Sequence, residues 1–216
     1  MRLPFAALLL VACASPPPVT APTGGPRGLR ASDHLDVAQQ HENVSKEATM
    51  WPDSMGDGMP HGVPIPWVRS WNEAADHARL AALHRGQAAS LQADFERACG
   101  TRSIPEVAVS PLVRYGAGGW MTQTGAIVYL SSDAGDPDAL LAAMACHRAW
   151  MMLAPTGMDE CPLDLPGLVL DARGDADGIT VSLGVRDPTL VPELQRRVAI
   201  DLEAGPHAAH AAHAAP

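Results

Sequence analysis

The chain has 216 residues, of which 47% are hydrophobic but only 4% aromatic, and its formal net charge is −9. This acidic excess argues against nucleic acid as a partner, because phosphate backbones are recognised by basic surfaces. The few aromatic residues predict a modest, aliphatic core. The length, without the low-complexity ends described below, fits one compact domain.

The first twelve residues have the pattern of an export signal. Met1-Arg2 supplies positive charge, and the apolar run from Leu3 to Ala12 is too short to cross a hydrocarbon layer of about 30 Å. Leu10-Val11-Ala12-Cys13 is a lipobox, so we expect residues 1–12 to be removed and Cys13 to become a lipidated N-terminus. An ordinary secretory signal with an incidental cysteine is the alternative.

Low-complexity segments flank the predicted domain. Residues 13–30 are rich in proline and glycine, which predicts an extended tether between the membrane and the domain. Residues 204–216 form an alanine- and histidine-rich tail that we expect to be disordered. Ala14 and Ser15 follow Cys13, in place of the Asp that commonly retains lipoproteins in the inner membrane, which by analogy favours the outer membrane. The chain is therefore predicted to be lipid-anchored in the cell envelope and to face the periplasm.

Residues 31–100 are predicted to be helical around a loop rich in methionine and proline. A polar helix spans Ala31 to Ala48, and prolines and glycines break residues 49–68. Ser70 and Glu73 form a capping box for a long helix from about Trp71 to Cys99, which Gly100 ends.

Residues 101–203 contain a possible internal repeat of two ββα units. In each unit a strand pair precedes an Asp-Pro pair, Asp136-Pro137 or Asp187-Pro188, that can start a helix. The alternative is that the segments are two unrelated hairpins whose turn residues are similar by chance. Strands are predicted around residues 107–109, 112–115, 127–130, 168–171 and 179–185, with turns at the glycines of residues 116–119 and 174–178. The predicted fold class is α+β, with long N-terminal helices packed on an antiparallel sheet built from two ββα repeats.

The sequence contains several short motifs in a fixed order: a His- and Glu-bearing helix that runs into Ala98-Cys99-Gly100, followed by Ser110-Pro111-Leu112, Cys146-His147 and Cys161-Pro162-Leu163. These motifs resemble those of a group of uncharacterised lipoproteins from proteobacteria and their relatives. The likeness covers roughly residues 31–202. It implies an envelope lipoprotein and supplies no activity.

Three cysteines remain once Cys13 is acylated, an odd number for an oxidising compartment. We expect one disulfide and one spare thiol, and favour Cys146 with Cys161, because the loop after the helix can turn back beside it. Pairing of Cys99 with either of these is the alternative.

Soft and imidazole side chains suggest a copper or zinc site. A loop set and a tail set are the predicted ligands: Met50, Met55, Met59, His61, His207, His210 and His213.

Four further histidines lie on the predicted helices. His34 and His41 are two turns apart, about 10 Å along a helix, and so are His77 and His84. Neither pair on one helix can hold one ion, so we expect solvated or hydrogen-bonded side chains.

The sequence contains no glycine-rich phosphate loop, no HExxH and no nucleophile elbow. It therefore favours a non-catalytic envelope lipoprotein that contacts another envelope protein or has a structural role. A metal-binding or metal-handling lipoprotein is the alternative.

Overall fold

The computed structural model describes residues 28–50, 67–153, 160–174 and 178–205. The predicted signal, Cys13, most of the tether and the histidine tail lie outside these residues. The fold is α+β, as predicted: six helices pack with a four-stranded antiparallel sheet. In chain order the elements are α1 (Ala31–Met50), α2 (Trp67–Cys99), α3 (Ile104–Val107), α4 (Pro111–Tyr115), β1 (Gly116–Thr122), β2 (Gly125–Leu130), α5 (Pro137–Met151), β3 (Leu168–Gly174), β4 (Ile179–Val185) and α6 (Val191–Ala204).

Helices α1 and α2 pack against each other as an antiparallel hairpin. Helix α2 continues without a break through Gly86, where an added Cβ would meet only open space. It begins at Trp67, so Ser70 lies inside the helix and the predicted capping box does not start it. Because Gly86 is exposed, its only cost is its low helix propensity, about 1 kcal/mol of helix stability relative to alanine. A helix of 33 residues tolerates this cost.

The sheet has the strand order β1-β2-β4-β3, with antiparallel neighbours throughout. Its inner face carries alternate residues such as Val128, which lies opposite Val181. Helices α5 and α6 cover this face, and Leu140, Met144 and Leu194 from these helices belong to the same buried cluster. The core is aliphatic, as the composition predicts.

The outer face of the sheet carries exposed apolar side chains. Trp120 lies opposite Ile127 on the neighbouring strand, and the Trp120 and Tyr129 rings are 5.0 Å apart between centroids. Trp120 and Tyr129 keep 45% and 42% of their surface exposed. An aromatic pair therefore projects from this face.

Three of the predictions for residues 107–119 are wrong. Residues 107–109 and 112–115 are not strands, because helices α3 and α4 occupy this region. The glycine run is strand β1 and not a turn. A Cβ at Gly119 would collide with the Ile127 main-chain oxygen and press on Leu202 of α6. Glycine is required here by the close approach of backbone and helix, a condition that composition alone does not distinguish from a turn.

The helix start predicted at Asp136 is confirmed, and the one predicted at Asp187 is confirmed in part. The Asp136 carboxylate accepts a hydrogen bond from the Ala139 main-chain N–H, as an N-cap does. Asp187 caps a short 3-10 turn, and the regular helix α6 begins only at Val191, next to Pro192. The order strand, strand, helix thus occurs twice. That the two units are repeats of one another stays a prediction.

The favoured disulfide, Cys146 with Cys161, is wrong. Cys99 at the end of α2 bonds to Cys146 in α5, with a Cα–Cα distance of 4.8 Å, and Cys161 is a buried free thiol. Consecutive helical residues point about 100° apart. Cys146 faces α2, whereas the next residue, His147, faces Cys161. The disulfide therefore ties the helical hairpin to the α+β core.

No helix in the described ranges is long and apolar enough to cross a membrane.

Candidate functional site: a histidine seam between two helices

The contact between α1 and α2 follows a heptad pattern in which alanines alternate with histidines. On α2 the seam positions are spaced by three and four residues, and so are those on α1. Large apolar side chains are nearly absent from this contact. We call it the histidine seam, formed on α1 by His34, Ala38, His41 and Ser45 and on α2 by Ala74, His77, Ala81, His84 and Ala88.

The antiparallel arrangement brings the four histidines together in two cross-helix pairs. His34 and His84 form the inner pair, with 2.8 Å between their Nδ1 atoms. His41 and His77 form the outer pair, with 2.7 Å between their Nδ1 atoms. In each pair one ring donates its N–H to the bare nitrogen of the other. The His41 and His84 rings are 5.9 Å apart, so the two pairs adjoin.

The two pairs differ in their access to solvent. His34 and His84 are 0% and 5% exposed, whereas His41 and His77 are half-buried. Burial lowers the pKa of His34, and the neighbouring His84 lowers it further against the opposing effect of Asp33. Burial likewise lowers the pKa of His41, followed by the effects of His77 and His84. Both rings are therefore neutral at neutral pH, the form that ligates metals.

The inner pair contains an unsatisfied buried atom. The Nε2 atom of His34 has no hydrogen-bond partner, whichever tautomer the ring adopts. Leaving such a group unpaired costs about 1–3 kcal/mol. Two apolar side chains at this layer would avoid that cost, so the imidazoles are a poor choice for stability alone.

Two further polar contacts link the helices of the hairpin, one within the seam and one beside it. The Ser45 hydroxyl donates to the Ala74 main-chain oxygen at 2.9 Å, and Arg85 pairs with Glu42 at 2.7 Å. Such exposed ion pairs contribute little. Docking of α1 therefore depends largely on the alanine and histidine layers.

A second buried polar cluster lies beneath α6. His147 donates from Nδ1 to the Val107 carbonyl at 2.6 Å, which directs its Nε2 toward the Cys161 sulfur, 3.6 Å away. The Ser110 hydroxyl donates to the Asp201 carboxylate at 3.1 Å. Burial raises the pKa of Asp201 to about 6. Burial and the nearby Asp201 charge raise the pKa of Cys161 to about 12, so its thiol is protonated and a poor nucleophile.

The predicted metal ligands fall almost entirely outside the described residues. Met50 is the last residue of α1. Met55, Met59, His61 and the three tail histidines His207, His210 and His213 lie outside the described ranges. Copper or zinc binding by these residues stays a prediction. Within the described ranges, no three His, Cys, Asp or Glu side chains gather in a way that holds one ion.

The spacing along each single helix predicts solvated or hydrogen-bonded side chains for the seam histidines. They are hydrogen-bonded, but to each other and across two helices. The signal that could have found them is the equal spacing of seven residues in both helices, which an antiparallel hairpin converts into two facing pairs.

Searches of protein-family models, of curated proteins and of solved structures found no match to this chain. The resemblance to proteobacterial lipoproteins therefore stays a prediction.

Proposed function

We propose that the chain is a cell-envelope lipoprotein, anchored through Cys13, whose domain has a non-catalytic interaction or structural role. The observation that carries this proposal is the Cys99–Cys146 disulfide. Stable structural disulfides form in oxidising compartments such as the periplasm. The lipobox signal and the disulfide both support a location outside the cytoplasm. The outer membrane is the proposed membrane.

A non-catalytic role is supported by the state of the reactive groups. Cys161 and His147 resemble a nucleophile and its base, yet both are buried and the raised pKa of Cys161 keeps its thiol protonated. The pKa of His147 is lowered by burial, despite its hydrogen bond to Val107. A neutral pair with so little exposure has the character of core packing.

An interaction role is supported by the outer face of the sheet. Trp120, Tyr129 and Val169 expose large apolar side chains there, and exposed aromatic groups are enriched at protein interfaces. Another envelope protein is the proposed class of partner.

The proposed membrane anchor is tested by mass spectrometry of the protein extracted from membranes. We expect a mature N-terminus at Cys13 that carries acyl chains, and we expect Cys13→Ala to abolish the lipid and release the chain from the membrane fraction. Ser15→Ala is the matched control and keeps both. Wild-type protein that retains residues 1–12, or an unmodified Cys13, would contradict the proposal.

The oxidised state of the domain is tested by counting thiols in unfolded protein without reductant. One reactive thiol, from Cys161, is expected per lipidated chain. Three thiols in protein isolated from the envelope would show that Cys99 and Cys146 are reduced. This result would remove the main support for the proposed extracytoplasmic location.

A second candidate function is metal binding or handling by the same lipoprotein. The meeting of four hydrogen-bonded histidines in the seam favours it. Copper and zinc titrations before and after replacement of the loop and tail ligands test the sites expected from the sequence. Copper or zinc binding that persists after both the loop and the tail ligands are replaced would indicate a site in the seam.

A further inference from the structure

We propose that the outer pair of the histidine seam, His41 and His77, binds a divalent transition-metal ion, with Cu²⁺ bound most tightly. This site lies within the helical hairpin, apart from the loop and tail. It does not depend on the envelope address, so either proposal can fail without the other.

The chemistry of the donors selects the class of ion. Imidazole nitrogen suits Cu, Ni and Zn, and among divalent ions Cu²⁺ forms the most stable complexes. No acid or thiolate is needed for such an ion to bind neutral nitrogen ligands. The chain's net charge of −9 favours the approach of a cation.

The separation of the two nitrogens fits one coordination geometry better than another. At metal–nitrogen distances of about 2.0–2.1 Å, adjacent ligands of a square-planar ion are about 2.9 Å apart and those of a tetrahedral ion about 3.3 Å. The Nδ1 atoms of His41 and His77 are 2.7 Å apart. This separation is therefore closer to that of adjacent ligands in a tetragonal Cu²⁺ site than to that in a tetrahedral Zn²⁺ site. The two nitrogens face each other in the hydrogen bond, with ring centroids 4.9 Å apart, so both rings must turn to direct their lone pairs at one ion.

Proton balance permits the exchange without a change in charge at the rings. In the hydrogen-bonded pair, one ring carries its proton on Nδ1 and the other on Nε2. When both Nδ1 atoms bind the ion, the donor ring moves its proton to Nε2, and each imidazole stays neutral.

Solvent access assigns the ion to the outer pair. The protein supplies two ligands, so water must complete the coordination. His41 and His77 are half-buried and leave room for water, whereas His34 is fully buried. The inner pair instead packs beside the outer pair through the contact between the His41 and His84 rings.

The test uses the mature full-length chain in detergent, titrated calorimetrically with Cu²⁺ alone and with Zn²⁺ alone. All forms carry alanine at the three tail histidines, His207, His210 and His213, so that the tail contributes nothing. His41→Gln with His77→Gln is the test variant. His34→Gln is the matched control, because it removes an imidazole from the same seam but leaves the outer pair intact.

We expect one Cu²⁺ site that weakens at least about tenfold in the double variant and changes less than about threefold in the control. Zn²⁺ binds the same site more weakly. Unchanged Cu²⁺ binding in the double variant, or an equal loss in His34→Gln, would overturn the assignment.

A spectroscopic measurement covers the case in which the double variant loses its hairpin. Electron paramagnetic resonance of the Cu²⁺-loaded chain is compared before and after labelling of histidine with ¹⁵N, in the form that lacks the tail histidines. Two imidazole nitrogens are expected, with splittings that change on labelling. Cu²⁺ without histidine nitrogen in its coordination sphere refutes the site.

Discussion

Asp201 is expected to make the stability of the domain depend on pH. The residue is 8% exposed, and the pKa of its carboxyl, about 6, lies above the ordinary value of 3.8, because burial outweighs the Ser110 hydrogen bond that favours the charged form. The folded protein therefore holds this proton at pH values where the unfolded chain has released it. The resulting stabilisation is complete below pH 3.8 and is lost as the pH rises through about 6.

The magnitude follows from the shift of about two pKa units. Each unit corresponds to about 1.36 kcal/mol, so ionisation of Asp201 removes at most about 3 kcal/mol of the free energy of unfolding. Asp201→Asn keeps the shape and cannot ionise, while its side-chain oxygen can still accept from Ser110. The variant should gain about 3 kcal/mol relative to the wild type between pH 3.5 and pH 7.

Urea unfolding at several pH values measures this difference. Other titrating groups are common to both proteins, so the comparison isolates Asp201. A difference that stays constant to within about 0.5 kcal/mol from pH 3.5 to pH 7 would refute the reasoning, since a group with an ordinary pKa gives that result.

Three further changes test how the fold is held together. Replacing Cys99 and Cys146 by serine opens a loop with a sequence separation of 47 and should cost about 4 kcal/mol in denaturant unfolding, with no loss if the bridge does not form. Asp136→Ala removes the cap of α5 and should cost about 1 kcal/mol in thermal unfolding, whereas Asp138→Ala in the same turn serves as the control and should cost less. Gly125→Ala places a Cβ against a main-chain oxygen of β4 and should cost about 1–3 kcal/mol in urea unfolding, and a neutral effect would contradict this strand pairing.

The fold class could be predicted because its signals are local. Strand β4 was predicted with its observed bounds, and Asp136 was predicted as a helix cap, since β-branched alternation and capping chemistry need only neighbouring residues. Strand β1 was missed because Gly116 and Gly119 are required by main-chain oxygens of Leu112 and Ile127 and by the Leu202 side chain, which only the folded chain brings against them. The disulfide was missed for a related reason. Loop length suggested that Cys161 was close enough, but the direction of Cys146 around α5 decided the partner.

The histidine seam shows how a distance argument can be sound within one helix and incomplete for two. Spacing along one helix predicts that His34 and His41 are too far apart to share an ion, and the same holds for His77 and His84. In an antiparallel hairpin the first histidine of one helix lies opposite the second histidine of the other. Because both helices space their histidines by seven residues, His34 pairs with His84 and His41 pairs with His77. Small Ala38 and Ala81 between these layers let the helices approach closely enough for nitrogen to meet nitrogen. Larger apolar residues at these two positions should separate the rings and weaken Cu²⁺ binding even though every histidine is retained.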